Sequence, residues 1–312
     1  MVDFITTILG ISIALIATCC FNFSIILLKI GLREGKQIKL DEGIRSLLNV
    51  FKELSKHKLW VIGTALGAIG MIPYAIAMGL VGIIVVQPIM SVGLIIFFIS
   101  AIVVLKEKVN YLEVIPIILL ISVPFFIGLA QISEVIIDLY TFVVPFLILF
   151  VILFSISMVS YFYSKKKRGT RLEGIFITFT GSIFYSLGAI FTNIMAQALV
   201  DSRIFVPFFW EIIFGIFWFD YFHFWIFIGF WGLVIFNITS VIFIQSSLQR
   251  SKAVLVIPIQ NSISFILPVI AGILVFNQSF KYDLFFVVTI IIVLISTVLL
   301  SKYQASIERI ES

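Results

Sequence analysis

The stretch LWVIGTALGAIGMIPYAIAMGLVGIIVVQPIMSVGLIIFFISAIVVL, residues 59–105, lies between Lys58 and Lys106 and contains no charged side chain. A helix rises about 1.5 Å per residue, so roughly 20 apolar residues cross the hydrocarbon core of a bilayer. These 47 residues therefore suffice for two crossings, read as Leu59–Gly79 and Ile83–Leu105. Outward in both directions the same pattern recurs as Phe4–Leu28, Val114–Ile132, Leu139–Tyr163, Gly174–Leu199, Phe224–Leu248, Ala253–Phe276 and Leu284–Ser301. The expected fold class is all-α, a polytopic bundle of about nine spanning helices.

Composition agrees. The chain is 62% hydrophobic and 12% charged, whereas soluble domains are about 45–50% apolar and about 25% charged. The net charge of +5 does not indicate nucleic acid, because the positive residues sit at helix ends rather than in one basic patch. Cys19 and Cys20 are adjacent, which places them about 100° apart on a helix and reads as packing rather than a disulfide or metal site. No positive n-region precedes the first apolar run, so it reads as a spanning helix and not a cleavable signal.

Charge sets the orientation. With the first helix running inward, 19 of the 21 Lys and Arg, all but Arg203 and Lys281, fall on the inner side. The outer segments carry Asp3, Glu134, Asp138, Asp201, Glu211, Asp220 and Asp283. Retention of positive charge in the cytoplasm predicts a multi-pass cell-membrane protein with its N-terminus outside and its C-terminus inside. A tenth crossing over 204–219 would invert everything after it and bury Glu211, at roughly 2.5–3.5 kcal/mol, so this segment is expected to be interfacial or re-entrant. Trp210, Trp218, Trp225 and Trp231 cluster there, as at headgroup depth. In the first inner loop, Ile44, Leu47, Leu48, Phe51 and Leu54 recur at helical spacing and predict an amphipathic surface helix.

Two parts of the chain resemble each other. Ile83-Ile-Val-Val-Gln-Pro-Ile89 precedes an apolar run ending at Lys106-Glu107-Lys108-Val109, and Val254-Leu-Val-Ile-Pro-Ile259 precedes one ending at Asn277-Gln278-Ser279-Phe280. Ser24–Lys29 and Gly188–Asn193 match more weakly. The division expected is a first repeat at 1–132 that includes the cytosolic segment 33–58, a linker helix and basic loop at 133–171, and a second repeat at 172–312 with an aromatic outer segment at 201–223. An odd linker helix inverts the second repeat, an architecture common among secondary transporters.

On these residues the chain resembles the drug/metabolite transporter superfamily. Trp60 and Gly63 form a Trp-x-x-Gly start, the Val85-Val86-Gln87-Pro88 stretch follows, and Lys106-Glu107-Lys108-Val109 is similar to the Gly-Glu-Arg-Leu ending of EamA-type repeats. Leu248 through Asp283, where Ala253 to Pro258 reads Ala-x-x-Val-x-Pro before an apolar helix, looks like the same unit in the second half. Nine crossings are closer to the NIPA-type magnesium-transporter branch than to ten-helix EamA proteins. Lys106 stands where the EamA pattern has glycine, and Gln278 where it has a carboxylate. The resemblance implies transport of a small solute.

Polar residues at membrane depth are costly and are functional candidates for that reason. Here they are amides and hydroxyls. Gln87, Pro88, Ser91, Pro258, Gln260 and Asn261 form one expected substrate-binding set, joined by Asn22 and Asn193. Ser24, Gln197, Asn237, Gln245 and Ser264 belong to the same class, and Tyr74 and Tyr185 are within reach of the same depth. Pro88 and Pro258 each remove a backbone donor, which frees a carbonyl to line a cavity. The competing reading is that the amides hold helices together. Gly63, Gly67 and Gly70 read as a packing ladder. Neither His57 nor His223 has a Cys, Asp or Glu at ligand or triad spacing, so no enzyme activity, metal or cofactor is expected. The partners expected are the bilayer and a small molecule or ion, without nucleic acid, a homodimer being left open. The alternatives carried are a NIPA-like divalent-cation transporter, which would need oxygen ligands that usually include carboxylates, and a non-transporting membrane scaffold.

Overall fold

Charge-free runs of apolar residues fold as helices because only a helix satisfies every backbone group without water. The structure, a computed structural model, describes residues 4–32, 52–93, 95, 111–134, 141–169, 171–201, 209–248 and 253–310. Its helices are α1 (Phe4–Leu32), α2 (Lys58–Val81), α3 (Ile83–Ser91), α4 (Tyr111–Ala130), α5 (Val143–Lys166), α6 (Arg171–Asp201), α7 (Phe209–Phe214), α8 (Tyr221–Leu248), α9 (Ala253–Leu274) and α10 (Asp283–Ile310). Two short strands, β1 (Ile132–Glu134) and β2 (Ser279–Phe280), pair antiparallel with Ile132 opposite Phe280.

Among the described residues five helices, α1, α2, α5, α6 and α8, are long and apolar enough to cross a membrane. Burial is distributed as lipid requires. Ile62, Ile69, Ile72 and Ile76 of α2, Ile148 and Val151 of α5, Ile235 and Ile238 of α8 and Leu284 and Ile291 of α10 are exposed, whereas Thr178, Thr180, Ser182, Ser186, Thr192, Asn193 and Gln197 of α6 are buried. In water such an arrangement would expose the wrong surface. In a bilayer it turns apolar side chains to lipid and polar ones to protein. The apolar window of α6 is 78% buried, against 22% to 28% for the other four spans, so α6 is the central helix.

Two glycine-packed hairpins flank this centre. Gly63, Gly67 and Gly70 of α2 press on α1: a Cβ at Gly63 would lie 3.0 Å from the Ser24 carbonyl oxygen, and one at Gly70 2.9 Å from Cys20 Cβ. The Ser24 hydroxyl donates to the Gly63 carbonyl at 2.7 Å. Gly229 of α8 lies against the backbone of Met195, and Gly232 against the Phe191 ring. Thr178 and Ser247 join hydroxyls at the other end of this pair, and Ser247 donates to the Gly174 carbonyl at 3.1 Å. The glycine ladder is thus a helix-contact device, as its spacing predicts.

The contacts fix directions. Gly10 near the start of α1 meets Val81 at the end of α2, and Gly79 of α2 meets Val200 and Ala196 of α6. Gly272 of α9 meets Ile84 at the start of α3, and the β1–β2 pair brings the end of α4 to the start of α10. Consequently α1, α3, α8 and α10 begin at the Gly82 end of the bundle, and α2, α4, α6 and α9 finish there.

Several local expectations change. Within the expected Ile83–Leu105 crossing the first helix ends at Ser91, and residues 96–105 lie outside the described residues. Val92 N–H donates to Ile89 and Gly93 N–H to Met90, both at i−3, so the chain tightens into a turn there. The interruptions therefore lie at Gly82 and Gly93 rather than at Pro88 or Pro258, both of which lie inside helices. Pro88 removes one intrahelical bond without ending α3, while Gly82 adopts φ +74° and ψ 168°, which requires glycine. The 204–219 segment, described from 209, is α7 followed by a single 3₁₀ turn at Gly215–Trp218. It folds back on α8, with the Trp231 indole donating to the Ile213 carbonyl at 3.1 Å. Trp210, Trp218 and Trp231 are exposed, but Trp225 is buried because it fills an aromatic cluster with Phe142 and Tyr221. The expected amphipathic helix lies almost wholly outside the described residues, as do Lys106 to Val109.

His223 does have a carboxylate partner. Asp220 accepts from the backbone N–H groups of Phe222 and His223 at 3.2 and 3.4 Å, and from His223 Nδ1 at 3.1 Å. This is an N-cap for α8, and the His223 hydrogen bond holds the Asp220 carboxyl below its ordinary pKa. A lowered folded value means the cap contributes fully above the usual carboxylate range and is lost as pH falls through it. Asp220→Ala should cost about 1 kcal/mol, and its unfolding temperature should converge with the parent's in acid. A gap that persists undiminished below that range would show that the carboxylate is not responsible.

Candidate functional site

The expected site residues gather around α3. Gln87, in its second turn, is 3% exposed and donates from Nε2 to the Tyr74 hydroxyl of α2 at 2.8 Å. Pro88 is buried beside it, and the Ser91 hydroxyl turns back to the Gln87 carbonyl at 3.4 Å. On α1, Asn22 donates to its own Thr18 carbonyl at 2.8 Å and packs its amide on Gly93. Thr18 reaches the Ile89 carbonyl at 3.5 Å and Met90 Sδ at 3.1 Å. Polar side chains of α1 thus meet α3 where its backbone changes hydrogen-bond pattern.

Asn193 is brought to the same depth from α6. It shares a helix face with Ala196, Gln197 and Val200, the residues that meet α2. Gln197 Nε2 donates to the Met78 carbonyl at 3.0 Å. Counting one turn back from the Gln197–Met78 bond along these two parallel helices puts Asn193 in register with Tyr74. Asn193 is fully buried, and neither amide atom has a hydrogen-bond partner.

Gln260 and Asn261 are half-buried on α9, which runs antiparallel to α3. Counting from the Ile84–Gly272 contact places Ser264 beside the Ser91–Gly93 turn and Asn261 just beyond it, level with Ile95. Ser264 Oγ is buried and unpartnered. Pro258 lies in the second turn of α9, further from the Tyr74–Gln87 pair. The structure therefore joins Gln87 and Tyr74 directly, sets Asn22 and Ser91 one turn away, adds Asn193 across α2, and leaves Gln260, Asn261 and Pro258 on the flank.

Gln278 has a role that its sequence position does not suggest. It is 2% exposed, and its Oε1 accepts from the Ile84 N–H at 3.3 Å, capping α3. A carboxylate expected by repeat matching is replaced here by an amide that bonds to a free helix N-terminus. The signal available in the sequence was an amide pair, Asn277-Gln278, directly after an apolar helix; in the structure Asn277 adopts φ +50°. Among the described residues no group of three His, Cys, Asp or Glu is arranged to hold a metal ion, and every buried polar side chain is uncharged. Chemically, the seam offers hydrogen-bond donors and acceptors without a fixed charge.

No protein-family profile, curated protein or solved structure matches this chain.

Proposed function

We propose that the chain is a secondary transporter of a small solute, working by alternating access between two inverted halves of the kind found in the drug/metabolite transporter superfamily. The carrying observation is the paired helix directions. α1 and α6, α2 and α8, α3 and α9, and α4 and α10 each run oppositely, as inverted repeats require. The hairpin α1–α2 has its counterpart in α6–α8, each closed by glycines, and α5 is the odd helix between the halves. Counting the shorter apolar helices α4, α9 and α10 and a crossing that begins with α3 alongside the five long spans would give nine crossings.

At the Gly82 end, hydrogen bonds tie one half to the other: Ile84 to Gln278, Gln197 to Met78, Lys281 to Gln131 and Tyr282 to Ala130. Toward the opposite end, Ser24 bonds to Gly63 and Ser247 to Gly174, within each half. Under the orientation set by the positive residues, the tied end faces outside, and the seam around Gln87 lies beneath it. These features support an outward-closed state of an alternating cycle.

The test is flux into proteoliposomes from a mixture of radiolabelled metabolites, with Mg²⁺ measured in parallel under an imposed potential. Gln87→Ala combined with Asn261→Ala should abolish uptake at unchanged protein abundance. Bridging Gly79→Cys to Val200→Cys, in a chain lacking Cys19 and Cys20, should stop uptake until the bridge is removed. Uptake that continues through the bridged pair would sink alternating access, and saturable Mg²⁺ uptake alone would favour the NIPA-like reading.

A further inference from the structure

A fully buried amide without partners is expensive, because each lost hydrogen bond leaves about 1–3 kcal/mol of desolvation uncompensated. Asn193 carries this cost twice, at Oδ1 and Nδ2. Other polar residues of α6 avoid it: Thr178, Ser182, Ser186 and Thr192 each bond back to a carbonyl one turn earlier, and Gln197 bonds to α2. An asparagine that only held helices together would be bonded across the interface. Asn193 offers a donor and an acceptor to something else.

Its surroundings define what that is. At its depth on α2 lies Tyr74, whose hydroxyl accepts from Gln87 Nε2 and so keeps its own proton for another acceptor. Around them lie Met78, Ile190 and Ile194, all buried. No buried side chain among the described residues is charged. An ion entering here would lose its hydration with no opposing charge to compensate. A neutral molecule would lose only hydrogen bonds that Asn193 and Tyr74 replace.

We infer that Tyr74, Gln87 and Asn193 bind a small uncharged molecule with a hydrogen-bond donor beside an acceptor, of the amide or nucleobase class. The planar amide of Asn193 pairs with such an edge through two hydrogen bonds, Nδ2 donating and Oδ1 accepting. Tyr74 donates to a second acceptor on the ligand, and Gln87 fixes the Tyr74 ring. This deepens the transport proposal for the same site and rests on it for the reason a ligand should reach membrane depth.

The experiment measures binding of radiolabelled uracil and acetamide to the full-length protein in detergent, with Mg²⁺ and tetraethylammonium as charged probes. Saturable binding of a neutral probe is expected, with loss of about tenfold or more in Asn193→Leu and in Tyr74→Phe, the size of a lost buried hydrogen bond. The unfolding temperature separates this from a structural role. Asn193→Leu keeps the number and branching of the side-chain heavy atoms and removes two unpaired polar atoms, so the variant should unfold at the same temperature as the parent or higher. A drop of several degrees would mean that Asn193 is structural glue and would overturn the assignment. So would binding of the charged probes only, or of none. Neutral-probe binding without flux would sustain the site and remove the transport reading; flux of a charged solute without neutral-probe binding would do the reverse.

Discussion

Gly82→Ala is expected to remove most of the folded protein recovered in detergent. Gly82 holds φ +74° and ψ 168°, a region in which a side chain costs about 1–3 kcal/mol. A Cβ there would also lie 2.5 Å from Gln278 Nε2 and 2.7 Å from its Oε1. Gln278 is buried between α3 and α9 and cannot simply swing away. Displacing it would free the Ile84 N–H at the start of α3, at a further cost of about 1–3 kcal/mol. Together these are a large part of the roughly 5–15 kcal/mol that separates folded from unfolded chains. Gly169 supplies the control, since it has φ +79° but open space around its Cβ. Melting curves read by fluorescence size-exclusion should show a much smaller shift for Gly169→Ala. Equal shifts would mean that the Gln278 contact contributes nothing.

Gly229→Val should be comparably damaging for a different reason. A Cβ at Gly229 would fall 2.8 Å from the backbone nitrogen of Met195 and 2.9 Å from its Cα. The obstacle is the main chain of α6, so no rotamer change relieves it, and α8 must move off the central helix. The Phe191–Phe236 stack, with centroids 5.4 Å apart, would separate with it. Overpacking typically costs about 1–3 kcal/mol, and a backbone clash between two spanning helices belongs at the upper end or above. Gly128→Val on α4, where a Cβ would meet nothing within 4 Å, should leave the melting temperature nearly unchanged. A Gly229→Val protein as stable as Gly128→Val would contradict the close approach.

Helix positions were legible from charge alone. α2 begins at Lys58, and α6 and α8 begin and end within three residues of the expected limits, because charges stop where lipid begins. The contact role of Gly63, Gly67 and Gly70 was equally readable, since their spacing puts all three on one face. The breaks were not. Pro88 and Pro258 read as helix breakers, yet each lies in the second turn of a helix that continues past it, and the chain turns at Gly82 and Gly93. Among many glycines, only tertiary contact with Gln278 and Asn22 distinguishes these two. The Gln87–Tyr74 bond, 13 residues apart in sequence, depends on α3 folding back along α2, and the unpaired state of Asn193 depends on which side chains happen not to reach it. Trp225 looked like its neighbouring tryptophans and differs only because Phe142 covers it.

The polar, central character of α6 also constrains biosynthesis. It is the least apolar of the five long spans, and two of its main packing partners, α8 and α9, follow it in the chain. When α6 first emerges from the ribosome, its hydroxyls and amides have α5 and the first half for company and nothing yet on the other sides. A nascent chain stalled after residue 201 would present Asn193 and Gln197 to lipid or to the insertion machinery. Release of α6 into the bilayer should therefore wait for α8, making the second hairpin, rather than the single helix, the unit that enters the membrane.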